Sequence, residues 1–211
     1  MEDMQGWKSS KPQDFWGEIA PCEHVLQIYD NNFAFINTLA GFVGDGINSN
    51  DCSIVIATGA HLRALKRRLT NHGVNVDSLI SEDLYIPIDA EEALAVFMVN
   101  DWPDPALFFN MVSGLLQRGR SKNRNIRAFG EMVALLWANG NNGATVQLEH
   151  LWNRFCSQQE ITLFCAYPKS GFTEDAERSL HHICAAHTKV ISGQYTGDPA
   201  VRYRDAGLMA I

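Results

Sequence analysis

Short apolar segments alternate along this chain with longer segments that have helical periodicity. The clearest short segment, Ser53–Thr58, is a continuous apolar run rich in β-branched residues. Such a run predicts a strand that is covered on both faces. The predicted strands span residues 24–29, 53–58, 84–88, 125–130, 161–167 and 189–191. Because helical segments separate them, we expect an α/β fold in three layers, with a mainly parallel sheet and helices on both faces.

The segments between the predicted strands carry apolar residues at helical spacing. After the first strand, Asp30 and Asn31 are suitable N-cap residues for a helix that continues to about residue 47. Gly73 is positioned to end the second helix, and Pro87 restricts its strand to an edge or an end of the sheet. Further helices are predicted over residues 62–69, 90–96, 105–117, 131–137, 145–155 and 174–186.

The length of 211 residues suits one α/β domain with a sizeable core. We expect the domain to occupy residues 21–192. Residues 1–20 are polar with scattered aromatic residues and are interpreted as a lead-in segment. Residues 193–211 have no clear period and are interpreted as a C-terminal tail.

Composition narrows the classes of function. The formal net charge of −7 argues against nucleic-acid binding as the main role. The longest clean apolar run, Leu94–Val99, is too short to span a bilayer, and the N-terminus lacks the pattern of a signal peptide. The five cysteines are odd in number and contain no C-x-x-C pair, which favours thiols in a reducing compartment. We therefore expect a cytoplasmic protein that has no membrane partner.

Polar side chains follow several of the predicted strands. In open parallel sheets the ligand crevice lies beyond the carboxyl ends of the strands, where Tyr29, Asp30, Glu131 and Tyr167 fall. Each residue also has a purely structural interpretation. Asp30 is a good helix cap, and Glu131 is suited to the first turn of its own helix or to pairing with Arg127. Both interpretations stay open for these residues.

Two further patterns suggest chemistry that their context does not favour. The glycines of Gly114–Ser121 have the spacing of a phosphate-binding loop, but the segment ends a helix, so Gly119 is interpreted as a C-cap. His181, His182, Cys184 and His187 suggest zinc, but only some of them share a helical face and no second Cys/His cluster completes the ligands. We therefore expect no metal site and no catalytic residues.

Five segments, in their order and spacing, resemble the MEDS family. The family is named for methanogens, methylotrophs and the sensory domain of a dichloromethane-responsive regulator. The segments are His24–Asp30, Arg127–Met132, Leu148–Asn153, Cys165–Pro168 and His187–Ile191. The resemblance extends from about Cys22 to Ile191. Two positions depart from the family pattern, since Pro168 replaces an Asp and Thr188 replaces a Pro.

The resemblance implies a RecA-type, KaiC-like domain that lacks its phosphate-binding loop. In RecA-type ATPases the first strand leads into G-x-x-x-x-G-K-[ST], whose backbone N–H groups hold phosphate. This chain has I-Y-D-N-N-F-A-F at residues 28–35, with no glycine or lysine. We therefore expect no tight binding of nucleotide triphosphates in the usual pose.

The resemblance further implies a non-catalytic sensory domain without a cofactor. A small organic ligand or a regulatory partner would bind at the carboxyl edge of the sheet. The expected ligand-binding residues are His24, Tyr29, Asp30, Arg127, Glu131 and Tyr167. Family members are often joined to output domains, and none is found here, so the signal would pass to a kinase or regulator. A homodimer is an expected assembly. Two alternatives stay open: a residual nucleotide-binding RecA-like ATPase, and a pure protein-interaction module.

Overall fold

A computed structural model of the protein describes residues 7–10, 23–171, 183–192 and 200–204. The strands are β1 (Trp7–Ser10), β2 (His24–Tyr29), β3 (Cys52–Ala57), β4 (Tyr85–Asp89), β5 (Met98–Val99), β6 (Trp102–Pro103), β7 (Ile126–Gly130), β8 (Thr162–Pro168), β9 (Lys189–Ser192) and β10 (Ala200–Arg204). The helices are α1 (Asn32–Asn48), α2 (Gly59–Asn71), α3 (Val76–Ser81), α4 (Ala90–Phe97), α5 (Pro105–Arg120), α6 (Met132–Ala138) and α7 (Asn142–Gln159). A short 3₁₀ turn, Lys169–Gly171, follows β8.

The described strands build one eight-stranded sheet and a separate β5–β6 hairpin. The strand order of the large sheet is β1-β10-β9-β2-β8-β7-β3-β4. The six strands from β9 to β4 are parallel, while β10 and β1 add antiparallel pairs beyond β9. The predicted, mainly parallel sheet is therefore confirmed.

The sheet is covered by helices on both faces, and each face has its own apolar core. Side chains of α1, α2 and α3 pack with Phe164 and Ala166 of β8. Side chains of α4, α5, α6 and α7 pack with Leu163, Cys165 and Tyr167 of the same strand. Successive residues of a strand point to opposite faces, so β8 supplies both cores. This alternation decides which of the candidate site residues can meet.

Local sequence chemistry explains several element boundaries. The side chain of Asn31 accepts a hydrogen bond from the N–H of Ala34 and caps α1. Gly73 follows the end of α2 with a φ of +80°, a conformation that favours glycine, as the sequence predicted. Pro87 lies in β4, which is the edge strand next to β3, so its missing N–H disrupts no central ladder.

Gly119 is not the C-cap that its position in the sequence suggested. Helix α5 continues to Arg120 and ends at Ser121. Gly119 is buried, and a Cβ atom at this position would lie 2.7 Å from Cδ1 of Ile126 and 2.8 Å from Sγ of Cys52. The glycine is therefore required for the close approach of α5 to strands β3 and β7.

The described structure adds elements that the sequence reading did not predict. These are α3, the β5–β6 hairpin, and strands β1 and β10. Strands β1 and β10 lie in the lead-in segment and the tail and pair with each other, so both flanks contribute to the sheet. Of the helix predicted over residues 174–186, residues 174–182 lie outside the described residues and 183–185 are helical. The domain boundaries themselves stay a prediction.

None of the helices that the structure describes is both long enough and apolar enough to cross a membrane. Cys52, Cys156, Cys165 and Cys184 form no disulfide within the described ranges. Cys22 lies outside the described residues.

Candidate functional site

Glu131 lies directly after β7, at the carboxyl edge of the parallel sheet. Its Oε2 atom accepts a hydrogen bond of 2.8 Å from the backbone N–H of Thr58, the residue after β3. Its Oε1 atom lies 2.7 Å from Nδ1 of His61, in the first turn of α2. The carboxyl group is buried, with only 5% of the residue exposed. Two neighbouring strands therefore hold one polar group rigidly at the expected crevice.

Aromatic rings extend this polar group on one side. Tyr29 stacks on Phe35 with ring centroids 4.7 Å apart, and Phe35 meets the His61 ring edge-on at 4.9 Å. Burial, and secondarily the charge of Glu131, raises the pKa of Tyr29 to about 12. The phenol therefore stays neutral at physiological pH. Asp30, the next residue, is exposed and forms an ion pair of 3.2 Å with Lys169.

We call Tyr29, Asp30, Thr58, His61 and Glu131 the carboxyl-edge cluster. Tyr29, Asp30 and Glu131 were predicted from the strand ends. His61 was not predicted, because it lies four residues beyond the end of β3, on a helix. Thr58 is the sequence signal that could have indicated His61. The side chain of Thr58 caps α2, so the first turn of α2, which contains His61, must lie at this edge.

A second group of polar side chains is buried on the other face of the sheet. It comprises His24, Glu149, Cys165 and His187, which we call the buried cluster. One potential ligand atom from each residue lies within 4.8 Å of the other three. Glu149 comes from α7, His24 from β2, Cys165 from β8, and His187 from the segment before β9.

Hydrogen bonds fix the outer sides of the buried cluster. Nδ1 of His24 lies 2.8 Å from the amide Oδ1 of Asn153, and Nδ1 of His187 lies 2.6 Å from the backbone oxygen of Ile183. The hydroxyl of Tyr167 donates to Oε1 of Glu149 at 2.6 Å. Because both acceptor oxygens need a proton from the ring, each Nδ1 carries the hydrogen, and the two Nε2 atoms are left with lone pairs.

Burial dominates the electrostatics of these residues. Burial lowers the pKa of His24 to about 4. Hydrogen bonds to Asn153 and to the Ala186 backbone raise this pKa, but they offset only part of the effect of burial. Burial also lowers the pKa of His187 well below its usual value, and the neighbouring His24 adds to this effect. Burial raises the pKa of Glu149 to about 8, although the Tyr167 hydrogen bond acts in the opposite direction. Burial therefore favours the neutral form of each of these three side chains: the two imidazoles without an added proton and the protonated carboxyl group.

Arg127 does not lie at the carboxyl edge, contrary to the prediction. It is the second residue of β7, near the amino end of the strand. Its guanidinium forms ion pairs of 2.5 Å with Asp45 and 2.8 Å with Asp51. Glu131 lies four residues further along the chain, which corresponds to about 13 Å of extended strand. The buried side chain of Arg127 therefore has a structural role: its ion pairs connect β7 to the end of α1 and to the residue before β3.

The six predicted ligand-binding residues thus divide into three places. Tyr29, Asp30 and Glu131 lie together in the carboxyl-edge cluster. His24 and Tyr167 lie in or beside the buried cluster, because His24 begins β2 and Tyr167 points to the α7 face of β8. Glu149 was not predicted as a ligand-binding residue, and it accepts a hydrogen bond from the strand residue Tyr167. Arg127 lies apart from both clusters.

The histidines and cysteine that suggested zinc in the sequence do not form one group among the described residues. His181 and His182 lie outside those residues. His187 joins the buried cluster, while Cys184 is not among its members. The residues that meet His187 are distant in sequence, and no local spacing indicates them.

Comparison with solved structures defines the class of fold. A KaiC-like protein of Pyrococcus horikoshii OT3 is similar with a TM-score of 0.59 and 11% identity, over 88% of this chain and 81% of its own. Another Pyrococcus horikoshii OT3 protein, the subject of a structural study, is similar with a TM-score of 0.56 and 11% identity, over 89% of this chain and 90% of its own. The fold is therefore a RecA-like α/β domain of the KaiC type.

Residues 23–188 match the MEDS family, described as the methanogen/methylotroph, DcmR sensory domain. The match covers most of the chain, and the chain belongs to this family. Membership indicates a sensory or signalling role. A search of curated proteins found no significant match. Strand β2 runs through Asp30 and Asn31 directly into α1, so the position of the phosphate-binding loop is occupied by a loop without glycine or lysine.

Proposed function

We propose that this chain is a non-catalytic cytoplasmic sensory domain that binds a small organic ligand at its carboxyl-edge cluster. The observation that carries the proposal is the buried carboxyl group of Glu131, held by Thr58 N–H and His61. A buried carboxyl group whose two oxygens are both fixed is a preorganised polar anchor. Without a phosphate-binding loop beside it, the group has no phosphoryl transfer to serve.

The chemistry of the carboxyl-edge cluster suits a small molecule with one polar group. His61 donates from Nδ1 to Glu131, so its Nε2 is left as a hydrogen-bond acceptor, and its side chain is 14% exposed. Tyr29 and Phe35 provide an apolar wall, and Phe33, 62% exposed, begins α1 next to them. A one-carbon or halogenated compound with a hydroxyl or acidic hydrogen would match this combination.

A sensor requires a ligand that binds two states of the protein with different affinity. The cluster joins the ends of β2, β3 and β7 to the first turns of α1 and α2. A ligand that pulled His61 from Glu131 would shift α2 relative to β7. We propose that this change is transmitted to a signalling protein such as a kinase or regulator, directly or through a homodimer.

The test is a thermal-shift screen of the purified chain with one-carbon and halogenated organics beside ATP, ADP, GTP and Mg²⁺. A ligand at 100 times its dissociation constant contributes about 2.7 kcal/mol, which corresponds to a rise in Tm of about 5–10 °C for a chain of this size. We expect an organic compound to produce the shift and Glu131→Gln to abolish it. Glu91→Gln, an exposed carboxylate in the first turn of α4, is the matched control and should retain it.

A shift produced by nucleotides and not by organics would contradict the proposal and favour a residual ATPase-like binder. A shift that survives in Glu131→Gln would refute the assignment of the ligand to the carboxyl-edge cluster.

A protein-interaction module is the second candidate, and exposed apolar side chains favour it. Val96, Val99, Trp102 and Leu107 are 40–53% exposed and lie within twelve residues of sequence, across the end of α4, the β5–β6 hairpin and the start of α5. Sedimentation of the wild type and of Trp102→Ser tests this candidate. Concentration-dependent self-association that the substitution weakens, without any small-molecule response, would support it.

A further inference from the structure

The buried cluster brings together four side chains that are the usual ligands of transition metals. His24, Glu149 and His187 contribute two imidazoles and a carboxylate, and Cys165 contributes a thiol. All four residues are buried. Their ligand atoms come from four separate elements, so only the folded chain assembles them. The cluster lies on the opposite face of the sheet from Tyr29 and is independent of the proposed function.

The ligand atoms face one another because hydrogen bonds hold the rest of each side chain away. Asn153 accepts from Nδ1 of His24, and the Ile183 backbone accepts from Nδ1 of His187, so both Nε2 lone pairs are directed inward. Tyr167 binds Oε1 of Glu149 and leaves Oε2 to the interior. Metal-bound histidines typically donate their second ring N–H in this way, which fixes the tautomer and the ring orientation.

Three separations between inward atoms are close to those of a tetrahedral site, and all four atoms lie within 4.8 Å of one another. Nε2 of His24 lies 3.2 Å from Sγ of Cys165 and 3.6 Å from Oε2 of Glu149. Nε2 of His187 lies 3.6 Å from the same Oε2 atom. Bonds from Zn²⁺ of about 2.0–2.1 Å to N or O and about 2.3 Å to S place tetrahedral ligand atoms roughly 3.3–3.6 Å apart.

Two polar atoms inside the buried cluster receive no hydrogen bond from the described part of the protein. Oε2 of Glu149 and Nε2 of His187 are buried and have no hydrogen-bond partner among the described residues. Their mutual distance of 3.6 Å exceeds hydrogen-bonding range. A buried polar atom without a partner is destabilising, so two at one point indicate a missing partner that can accept an electron pair from each.

We propose that His24, Glu149, Cys165 and His187 bind one Zn²⁺ ion in a closed tetrahedral site. Binding would release one proton from the Cys165 thiol and one from the Glu149 carboxyl group, which leaves a thiolate and a carboxylate, while both histidines remain neutral. The two ligand charges then cancel the charge of Zn²⁺, as a buried site requires. Four protein ligands leave no open position, so the ion is structural and not catalytic. It would join β2, β8 and α7 to the segment before β9.

The experiment measures the metal content of untagged protein, expressed in metal-replete medium, by inductively coupled plasma mass spectrometry. We expect about one zinc per chain in the wild type, since the site has one set of four ligands. Cys165→Ser and His187→Gln should lose the zinc. Cys156→Ser, a buried cysteine of α7 outside the cluster, is the matched control and should keep it.

Cobalt substitution of the wild type supplies a second readout that does not depend on whether the variants fold. Tetrahedral Co²⁺ with a thiolate ligand has intense visible bands and a near-ultraviolet charge-transfer band, and we expect both. Wild-type protein that carries no stoichiometric zinc and develops no such bands with Co²⁺ would overturn the proposal. Stoichiometric copper or iron in place of zinc would overturn the choice of ion, and an intact charge-transfer band in Cys165→Ser would overturn the ligand set.

Discussion

Gly114 and Gly119 lie on the same helix, α5, but in opposite environments. Nothing lies within 4 Å of a Cβ atom built at Gly114, which is exposed. A Cβ atom at Gly119 would lie 2.7 Å from Ile126 and 2.8 Å from Cys52, and both side chains are buried. Alanine substitutions at the two glycines should therefore change the free energy of unfolding in opposite directions.

The expected magnitudes follow from two competing terms. Replacing a helix glycine by alanine stabilises by about 1 kcal/mol in a helix interior, so Gly114→Ala should be stabilised by about 0.5–1 kcal/mol. Overpacking a core costs about 1–3 kcal/mol, and at Gly119 this cost outweighs the gain in propensity. Gly119→Ala should therefore be destabilised by about 1–2 kcal/mol, because Cys52 and Ile126 belong to a core on which α5 rests.

Urea denaturation followed by tryptophan fluorescence measures both effects. With a slope of about 2 kcal/mol/M, the midpoint of Gly119→Ala should fall by about 0.5–1 M while the slope stays unchanged. The midpoint of Gly114→Ala should rise. If Gly119→Ala were as stable as the wild type, α5 would not approach β3 and β7 as closely as described, and the packing account of this glycine would be wrong.

Two further predictions concern residues that the sequence assigned to the ligand-binding site. Arg127→Met leaves Asp45 and Asp51 without their cation and should lower the free energy of unfolding, measured by urea denaturation, by about 3 kcal/mol. This value is the lower end for a broken buried ion pair, because Asp45 is partly exposed. An unchanged urea midpoint would contradict the structural role of Arg127. The folded pKa of Tyr29, about 12, exceeds the usual 10, so its stabilising contribution is complete below pH 10 and is lost as the pH rises from 10 to 12. Tyr29→Phe should therefore make the unfolding free energy decline less steeply in that window, and identical declines in the two proteins would refute the shift.

Much of the fold could be predicted from local patterns. The runs that became β2, β3, β7 and β8 are apolar because a parallel strand is covered on both faces, and this property is visible in the sequence. Strands β1 and β10 were not predicted, since they are antiparallel additions at one edge whose pairing joins distant parts of the chain. Helix α3 is only six residues long, too short for a periodic signal.

The candidate sites were predictable only where a strand end defines the position. Tyr29 ends β2 and Glu131 follows β7, and the carboxyl ends of parallel strands share one edge, so their proximity was foreseeable. Arg127 was misplaced because the sequence does not show which acidic groups neutralise it. Those groups, Asp45 and Asp51, lie near the amino end of its strand.

The sequence by itself determined the layer architecture, the family and the loss of the phosphate-binding loop, because each depends on residues that are near one another along the chain. Only the tertiary structure decided which side chains meet. His24 and His187 are 163 residues apart, yet their rings lie 3.9 Å from each other because β9 pairs with β2. The pairing partner of a strand, and the face to which each residue then points, depend on the packing of the whole sheet. That long-range dependence is the physical reason why the buried cluster could not be predicted from the sequence.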